Sequence, residues 1–400
     1  MKHFGLLFSI TLVFILSILT SCDKILPKAI PESEILDGPL EGLSSAQLRQ
    51  FLRGDEEFNA RVFNSTSGLG PLFVASSCGS CHAGDGKGHP FTTLTRFGQT
   101  DSTGNKYMKH GGPQLQNRAL PGYKPEQIPQ GASFSKFTPP ANTGLGFLEL
   151  VSDADILAMS DPNDLNFDGI SGVPNWNAIP WYVTPPANAI SKNGKFIHRF
   201  GKKASSFNLV DQTVKAYNQD MGITSLFEPI DIFSNLEIEP EVTLNTVNDI
   251  VFYLQTLKAP IPRNQNDEIV KSGKLLFVQI GCESCHKETL KTGTSAIEAL
   301  SNKEFHPYTD LLLHDLGNNL DDGYTEGSAL TNEWRTPPLW GLGLSPNSQG
   351  GDFFLLHDGR AKSIEEAILF HGGEADLSKT KFKNLSATDK SAVLKFLKSL

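Results

Sequence analysis

Cysteine is scarce in this chain: five in 400 residues, with none left over for a structural disulfide. Cys22 closes an apolar N-terminal run, and the other four fall in two tight pairs, Cys78 with Cys81 and Cys282 with Cys285. A disulfide scaffold is thereby excluded. No sign of charge dominates either. The formal net charge of −9 is spread along the sequence, which excludes a nucleic-acid footprint and a basic membrane-binding face. Past the N-terminus no run is long and apolar enough to span a bilayer. With 39% hydrophobic and 20% charged residues, the chain can build two or three globular domains and is not compositionally disordered.

The N-terminus carries Lys2 and His3, then an uncharged, mostly apolar stretch from Phe4 to Thr20, then Ser21-Cys22. This reads as a bacterial export signal over residues 1–22 that ends in a lipobox, with Cys22 lipidated and residues 23–42 as a tether. An uncleaved anchor helix is the alternative. The expected location is the bacterial cell envelope, periplasm-facing, with membrane contact through the lipid anchor.

Cys78-Gly79-Ser80-Cys81-His82 and Cys282-Glu283-Ser284-Cys285-His286 both match the C-x-x-C-H signature of c-type haem attachment. The two thiols add across the haem vinyl groups, and the imidazole of the next residue reaches the iron as proximal ligand. Two covalently bound haem c groups are therefore expected, with iron held by His82 and His286. Zinc would need the pairs to converge from about 200 residues apart and has no use for the adjoining histidines. A redox dithiol would sit in a thioredoxin-like βαβ unit, which neither motif has around it.

The same signals appear in the same order on both sides of residue 260, where Pro260 and Pro262 mark a linker. A helical stretch enters each haem motif, capped at Ser44 and Gln47 in one case and at Asn266 and Asp267 in the other. Thr138-Pro139-Pro140 with Gly144-Leu145-Gly146 is echoed by Thr336-Pro337-Pro338 with Gly341-Leu342-Gly343. Lys203-Ala204-Ser205-Ser206 is echoed by Arg360-Ala361-Lys362-Ser363, each opening a helix. Amphipathic helices close both halves, through Val247, Ile250, Val251 and Leu254 and through Val393, Phe396, Leu397 and Leu400. The expected fold is mainly α: two cytochrome c-like haem domains, residues 43–260 and 261–400, related by internal duplication, with loop-rich insertions. The long insertion includes Asp164-Leu165-Asn166-Phe167-Asp168-Gly169, the opening of a calcium loop, but Asn175 stands where the closing acid belongs. An Asx-rich turn is the first reading there, and one bound Ca2+ the second.

The second axial position decides between chemistry and conduction, because an open iron admits an oxidant and a filled one does not. Ser363 and Glu366 start a short helix that His371-Gly372-Gly373 ends, presenting His371 as a ligand to the second iron; a histidine serving the helix dipole is the alternative. In the first half the matching segment, residues 209–222, has no such histidine. It offers Gln212 and Asp220, groups that orient a peroxide and move its proton, while Met221, His89 or His110 would instead close the site. His306, His314 and His357 are read as propionate or carbonyl partners, with His357 and Arg360 the nearer haem neighbours because they precede the His371 helix.

Together with Gly68-Leu69-Gly70-Pro71, Asp220-Met221-Gly222-Ile223-Thr224, the run from Tyr308 to Asp315 and His357-Asp358-Gly359-Arg360, these motifs resemble the di-haem cytochrome c peroxidase superfamily. The branch most similar is that of di-haem oxidoreductases or peroxidases also labelled thiol oxidoreductases. The resemblance implies a periplasmic oxidoreductase whose N-terminal haem reacts with peroxide while the C-terminal haem relays electrons from a cytochrome or cupredoxin-type donor. It places His371 where the C-terminal haem takes its distal ligand, often methionine, and makes Gln212 and Asp220 similar to a distal glutamine and a catalytic glutamate. The spacing is two residues shorter, and the acid is Asp. Where the superfamily has an inter-haem Trp-Asp-Gly-Arg segment, this chain has Phe200-Gly201-Lys202-Lys203, so a hopping route would use Trp334 or Trp340. A non-catalytic di-haem electron-transfer lipoprotein is the alternative function.

Overall fold

Side-chain oxygens at their N-caps start the helices that frame the interior of the computed structural model, which describes residues 29–99, 105–108 and 112–400. The export signal through Cys22 and His110 lie outside the described residues. Helix α1, Ser45–Asp55, opens on a capping box in which Ser44 Oγ accepts from the Gln47 N–H and Gln47 Oε1 accepts from the Ser44 N–H. Asn208 caps α2, Leu209–Lys215; Thr243 caps α3, Leu244–Thr256; Asp267 caps α4, Glu268–Gln279; Ser363 caps α5, Ile364–Phe370; and Ser386 caps α6, Ala387–Ser399. The apolar stripes of α3 and α6 are buried, as their period requires.

Glycine sets how closely these helices meet. A Cβ on Gly54 of α1 would overlap the Asp249 carbonyl of α3, and one on Gly273 of α4 would overlap the Ala392 carbonyl of α6. Each crossing also packs an aromatic ring towards a haem motif: Phe58 lies between Tyr253 and His82, and Phe277 between Phe396 and His286.

The expectation of a mainly α protein made of two duplicated cytochrome c-like domains is not met. Among the described residues, five two-stranded sheets and one three-stranded sheet lie between the helices, giving a mixed α and β architecture. Segments rich in Gly, Pro and Asn cannot prolong helices, so their backbone groups are satisfied by pairing extended chain. Leu94–Phe97 runs antiparallel to Phe134–Phe137, Asn175–Asn177 to Lys195–His198, and Leu313–Asp315 to Glu333–Arg335. Bridges Val151 to Thr292 and Val173 to Leu313 stitch early chain to late chain. The largest core does the same, joining Phe51, Tyr253 and Leu254 to Phe305, Leu311 and Leu312. Leu36–Leu400 accordingly forms one compact unit; the short unit before it, residues 1–35, contributes a 3-10 turn at Glu32–Glu34.

Candidate functional site

The two C-x-x-C-H motifs open onto one cavity of about 380 Å³. Its walls include Cys78, Cys81 and His82 on one side and Cys282, Cys285 and His286 on the other, together with Gln212, Asp220, Met221, His357 and His371. Apolar side chains such as Leu148, Phe200, Leu254 and Leu397 fill in between.

Both motif histidines are held alike. The Nδ1 atom of His82 lies 2.9 Å from the Pro140 carbonyl oxygen, and that of His286 lies 3.0 Å from the Tyr308 carbonyl oxygen. An Nδ1–H donated to a carbonyl fixes the tautomer that leaves Nε2 with a free lone pair, the usual outer-shell arrangement of a ligating imidazole. Burial pushes both imidazoles down to about 4, with the carbonyl bonds opposing it, so both are neutral at physiological pH, as a metal ligand must be.

Three of the four thiols lack the raised acidity of a redox dithiol. Burial pushes Cys78 up to about 12, Cys81 up to about 11 and Cys282 up to about 12, the opposite of an activated dithiol. The two pairs do not converge on a four-thiolate centre either. The single cluster of potential metal ligands among the described residues is Cys285, Asp310 and His314. Two thiols and a neutral imidazole at each motif, on an apolar cavity, fit a c-type haem at both places.

What faces the two motifs differs. On the first side α2 runs into a π-helical turn, Ala216–Asp220, and Gln212, Thr213, Ala216, Tyr217, Asp220 and Met221 all turn towards the cavity. The Asp220 carbonyl accepts from the Val74 and Ala75 N–H groups at 2.6 and 3.1 Å, which ties the turn to the chain just before Cys78. Burial raises the Asp220 carboxyl to about 7, and the guanidinium of Arg96 pulls the other way. Arg96 itself is paired with Glu326 and donates to Gln219 Oε1 at 3.1 Å.

On the second side α5 ends at His371, whose Nδ1 lies 2.8 Å from the Ala367 carbonyl oxygen. The same logic leaves its Nε2 free, and burial holds this imidazole below its ordinary value. Glu374, three residues on, accepts from Ser171 Oγ at 2.6 Å and meets His314 Nδ1 at 2.6 Å, while His314 Nε2 meets Asp310 at 2.8 Å. Burial would lower His314, but hydrogen bonds to Asp310 and Glu374 raise it well above its ordinary value. It is an imidazolium held between two carboxylates beside Cys285.

His357 is on the cavity wall, 2.8 Å from Asp322 through Nε2 and stacked on Trp334 at 3.7 Å and 9°. Trp334 and Trp340 line the cavity too. Arg360, expected beside a haem, is not on the wall; it donates to Asp358, Asp322 and the Asn319 carbonyl. His89 packs against Phe91 and Phe354, and His306 meets Thr289. The side chains of Asp164, Asn166 and Asp168 accept from backbone N–H groups at Asp168, Gly169 and Ile170, which is Asx-turn geometry.

Sequence reasoning missed the Asp310–His314–Glu374 cluster and the stack of Lys203 over Trp334. Lys203 Nζ sits 3.8 Å from the indole centroid and donates to the carbonyls of Leu330, Thr331 and Glu333. A buried lysine that donates to three carbonyls leaves no trace in spacing or periodicity.

Among curated proteins the chain finds no match. A solved structure of Kuenenia stuttgartiensis hydrazine synthase pressurised with xenon aligns at 14% identity and a TM-score of 0.41, covering 94% of this chain and 93% of that one, too remote a likeness to carry an argument. The family described as "Di-haem oxidoreductase, putative peroxidase" matches residues 136–400, which hold the second haem motif, His371, Gln212 and Asp220. The chain belongs to that family of di-haem oxidoreductases.

Proposed function

We propose that this is a periplasm-facing, lipid-anchored di-haem c-type oxidoreductase that reduces peroxide at the His82 motif and passes electrons through the His286 motif. The observation that carries the reading is the asymmetry across the cavity: a half-buried carboxyl at Asp220, raised to about 7, on one side and an imidazole at His371 on the other. When bound, haem at these motifs supplies an iron that takes up peroxide and a second iron that relays electrons. Asp220 takes the proton from the near oxygen of peroxide and returns it to the far oxygen, for which a carboxyl balanced near neutrality is suited. Gln212, earlier on the same wall, orients the oxidant by hydrogen bonding. His371 would be a second protein ligand to the other iron, which suits that site to relaying electrons. Electrons come from a cytochrome or cupredoxin-type donor, and the lipid on Cys22 holds the protein at the membrane.

The test is steady-state peroxide reduction with a reduced donor protein, alongside the absorption spectrum of the ferric protein. Turnover together with one high-spin and one low-spin centre supports the reading; no turnover from fully loaded protein overturns it. A non-catalytic electron carrier is the second reading, favoured by Met221, which is buried on the same wall one residue beyond Asp220. Two low-spin centres in every oxidation state would select it.

A further inference from the structure

Among the described residues, the cavity wall carries three cations with which no carboxylate pairs. Lys87, Lys202 and Arg335 all line it. Buried cations elsewhere in the fold have partners: Arg96 pairs with Glu326, and Lys203 donates to three carbonyls. Arg199 likewise pairs with Asp153 and donates to the Val151 carbonyl. Among the described residues neither Lys87 nor Lys202 has an ion-pair or hydrogen-bond partner at Nζ. Lys202 instead faces like charge, since Lys87 and Arg335 both act on it and Asp358 is the one acid that does. Arg335 donates Nε to the Gly201 carbonyl at 2.9 Å and a terminal nitrogen to the Thr336 carbonyl at 3.2 Å, which fixes its guanidinium against the Lys202 loop. Gathering two half-buried lysines and a buried arginine on one apolar cavity with no carboxylate paired to them is costly, and a fold that keeps them there fits an anion that completes the cluster.

We propose that Lys87, Lys202 and Arg335 form one carboxylate-binding wall, and that the carboxylates it takes are the propionates of both haems. The proposal rests on reading both motifs as haem c sites. A porphyrin fixed by its thioether edge presents two carboxylates at the opposite edge, and this cavity holds both thioether motifs and the cations. The wall adjoins each motif: Lys87 precedes Gly88, whose N–H donates to the Pro139 carbonyl next to the one that holds His82, and Arg335 pairs across the strands with Leu313, the neighbour of His314, which lies 3.6 Å from Cys285 Sγ. Both haems therefore turn their carboxylate edges to the same cations. Lys202 adjoins Arg335, whose N–H donates to the Lys202 carbonyl.

The test uses the full-length holoprotein, with Lys202→Gln, Lys87→Gln and the conservative Lys202→Arg. Mass spectrometry first counts attached haem, so a failure of the haem reading shows as missing porphyrin mass and is distinct from any change in potential. Midpoint potentials of both haems are then titrated spectroelectrochemically. Loss of a cation beside the propionates lowers the potential of both haems, most in Lys202→Gln, and Lys202→Arg restores it. Unchanged potentials in fully loaded Lys202→Gln and Lys87→Gln overturn the proposal, and a shift confined to one haem overturns the shared wall. A soluble carboxylate as occupant is separated by titrating acetate into the wild-type protein: no spectral or potential response is expected, and a response that Lys202→Gln abolishes overturns the propionate assignment.

Discussion

The surroundings of the two haem motifs are built from the same parts up to the proximal histidine and from different parts beyond it. On each side one helix crosses another at a glycine, an aromatic ring from the crossing packs on the motif histidine, and a backbone carbonyl takes its Nδ1. On the far side of the cavity the likeness ends: a π-turn delivers Asp220 in one case, and a helix end delivers His371 in the other. The helix crossings frame both motifs alike, and the turn and the helix end across the cavity supply what differs.

The comparison breaks most completely at the thiols. Cys78→Ala with Cys81→Ala should abolish attachment at the first motif and leave the second haem in place, and Cys282→Ala with Cys285→Ala should do the reverse. Mass spectrometry of each variant reads this as loss of one porphyrin. Loss of both from a single pair of substitutions would mean that the motifs are not independent anchors.

Next in size is the facing carboxyl. Asp220→Asn should lower peroxide turnover by roughly 10²–10⁴-fold, the usual worth of a positioned acid or base, without changing haem content. Asp220 must be ionised to take a proton, and its value is raised to about 7. Activity should therefore climb with pH through about 7 and level off above, a limb that the Asn variant lacks. Arg96→Gln removes the guanidinium that opposes burial, so the limb should move to higher pH. His371 has no part in it, and His371→Gly should change the spectrum of the second haem while leaving this profile in place.

How much of the molecule is legible in its sequence depends on how local each signal is. His82 and His286 are written next to their cysteines, and Ser44, Asp267 and Ser363 announce helix starts within four residues, so the anchors and caps can be read directly. Strands of two residues, such as Leu72–Phe73 paired with Arg118–Ala119, have no period to detect, which is why a mainly α reading overlooks the sheets. The Asp310–His314–Glu374 cluster joins a loop and strand to the turn after His371 across some sixty residues; the run from Tyr308 to Asp315 is visible as a block, but its partner is not. Lys202 stands out in the sequence only as a departure from a tryptophan segment. Its lack of a counter-ion is visible only with the cavity.

At the crossings the two halves should fail together. Gly54→Ala and Gly273→Ala each push a methyl group into a backbone carbonyl that cannot move without separating the helices. Overpacking of this kind typically costs about 1–3 kcal/mol and here belongs at the upper end. Denaturant unfolding of the holoprotein should show similar losses for both variants. A loss at only one crossing would show that one motif is carried by something other than its helix pair.

The smallest effect expected separates the halves again. Tyr253 and Phe396 occupy matching places against Gly54 and Gly273, but only Tyr253 bears a hydroxyl, which donates to Asp85 at 2.7 Å. Burial raises Asp85 from its ordinary 3.8 to about 6, with Tyr253 opposing the rise. A carboxyl raised on folding favours the folded state fully only below its unfolded value, and that contribution is lost as pH rises through the folded one. Stability should therefore fall between about pH 4 and pH 6 by up to roughly 2–3 kcal/mol, since a tenfold change in proton affinity is worth about 1.4 kcal/mol. Asp85→Asn keeps an acceptor for Tyr253 and removes the ionisation, so its unfolding midpoint should be flat across that window and above wild type at pH 7. Tyr253→Phe, which makes the first crossing like the second, should steepen the fall, because the carboxylate then loses its donor.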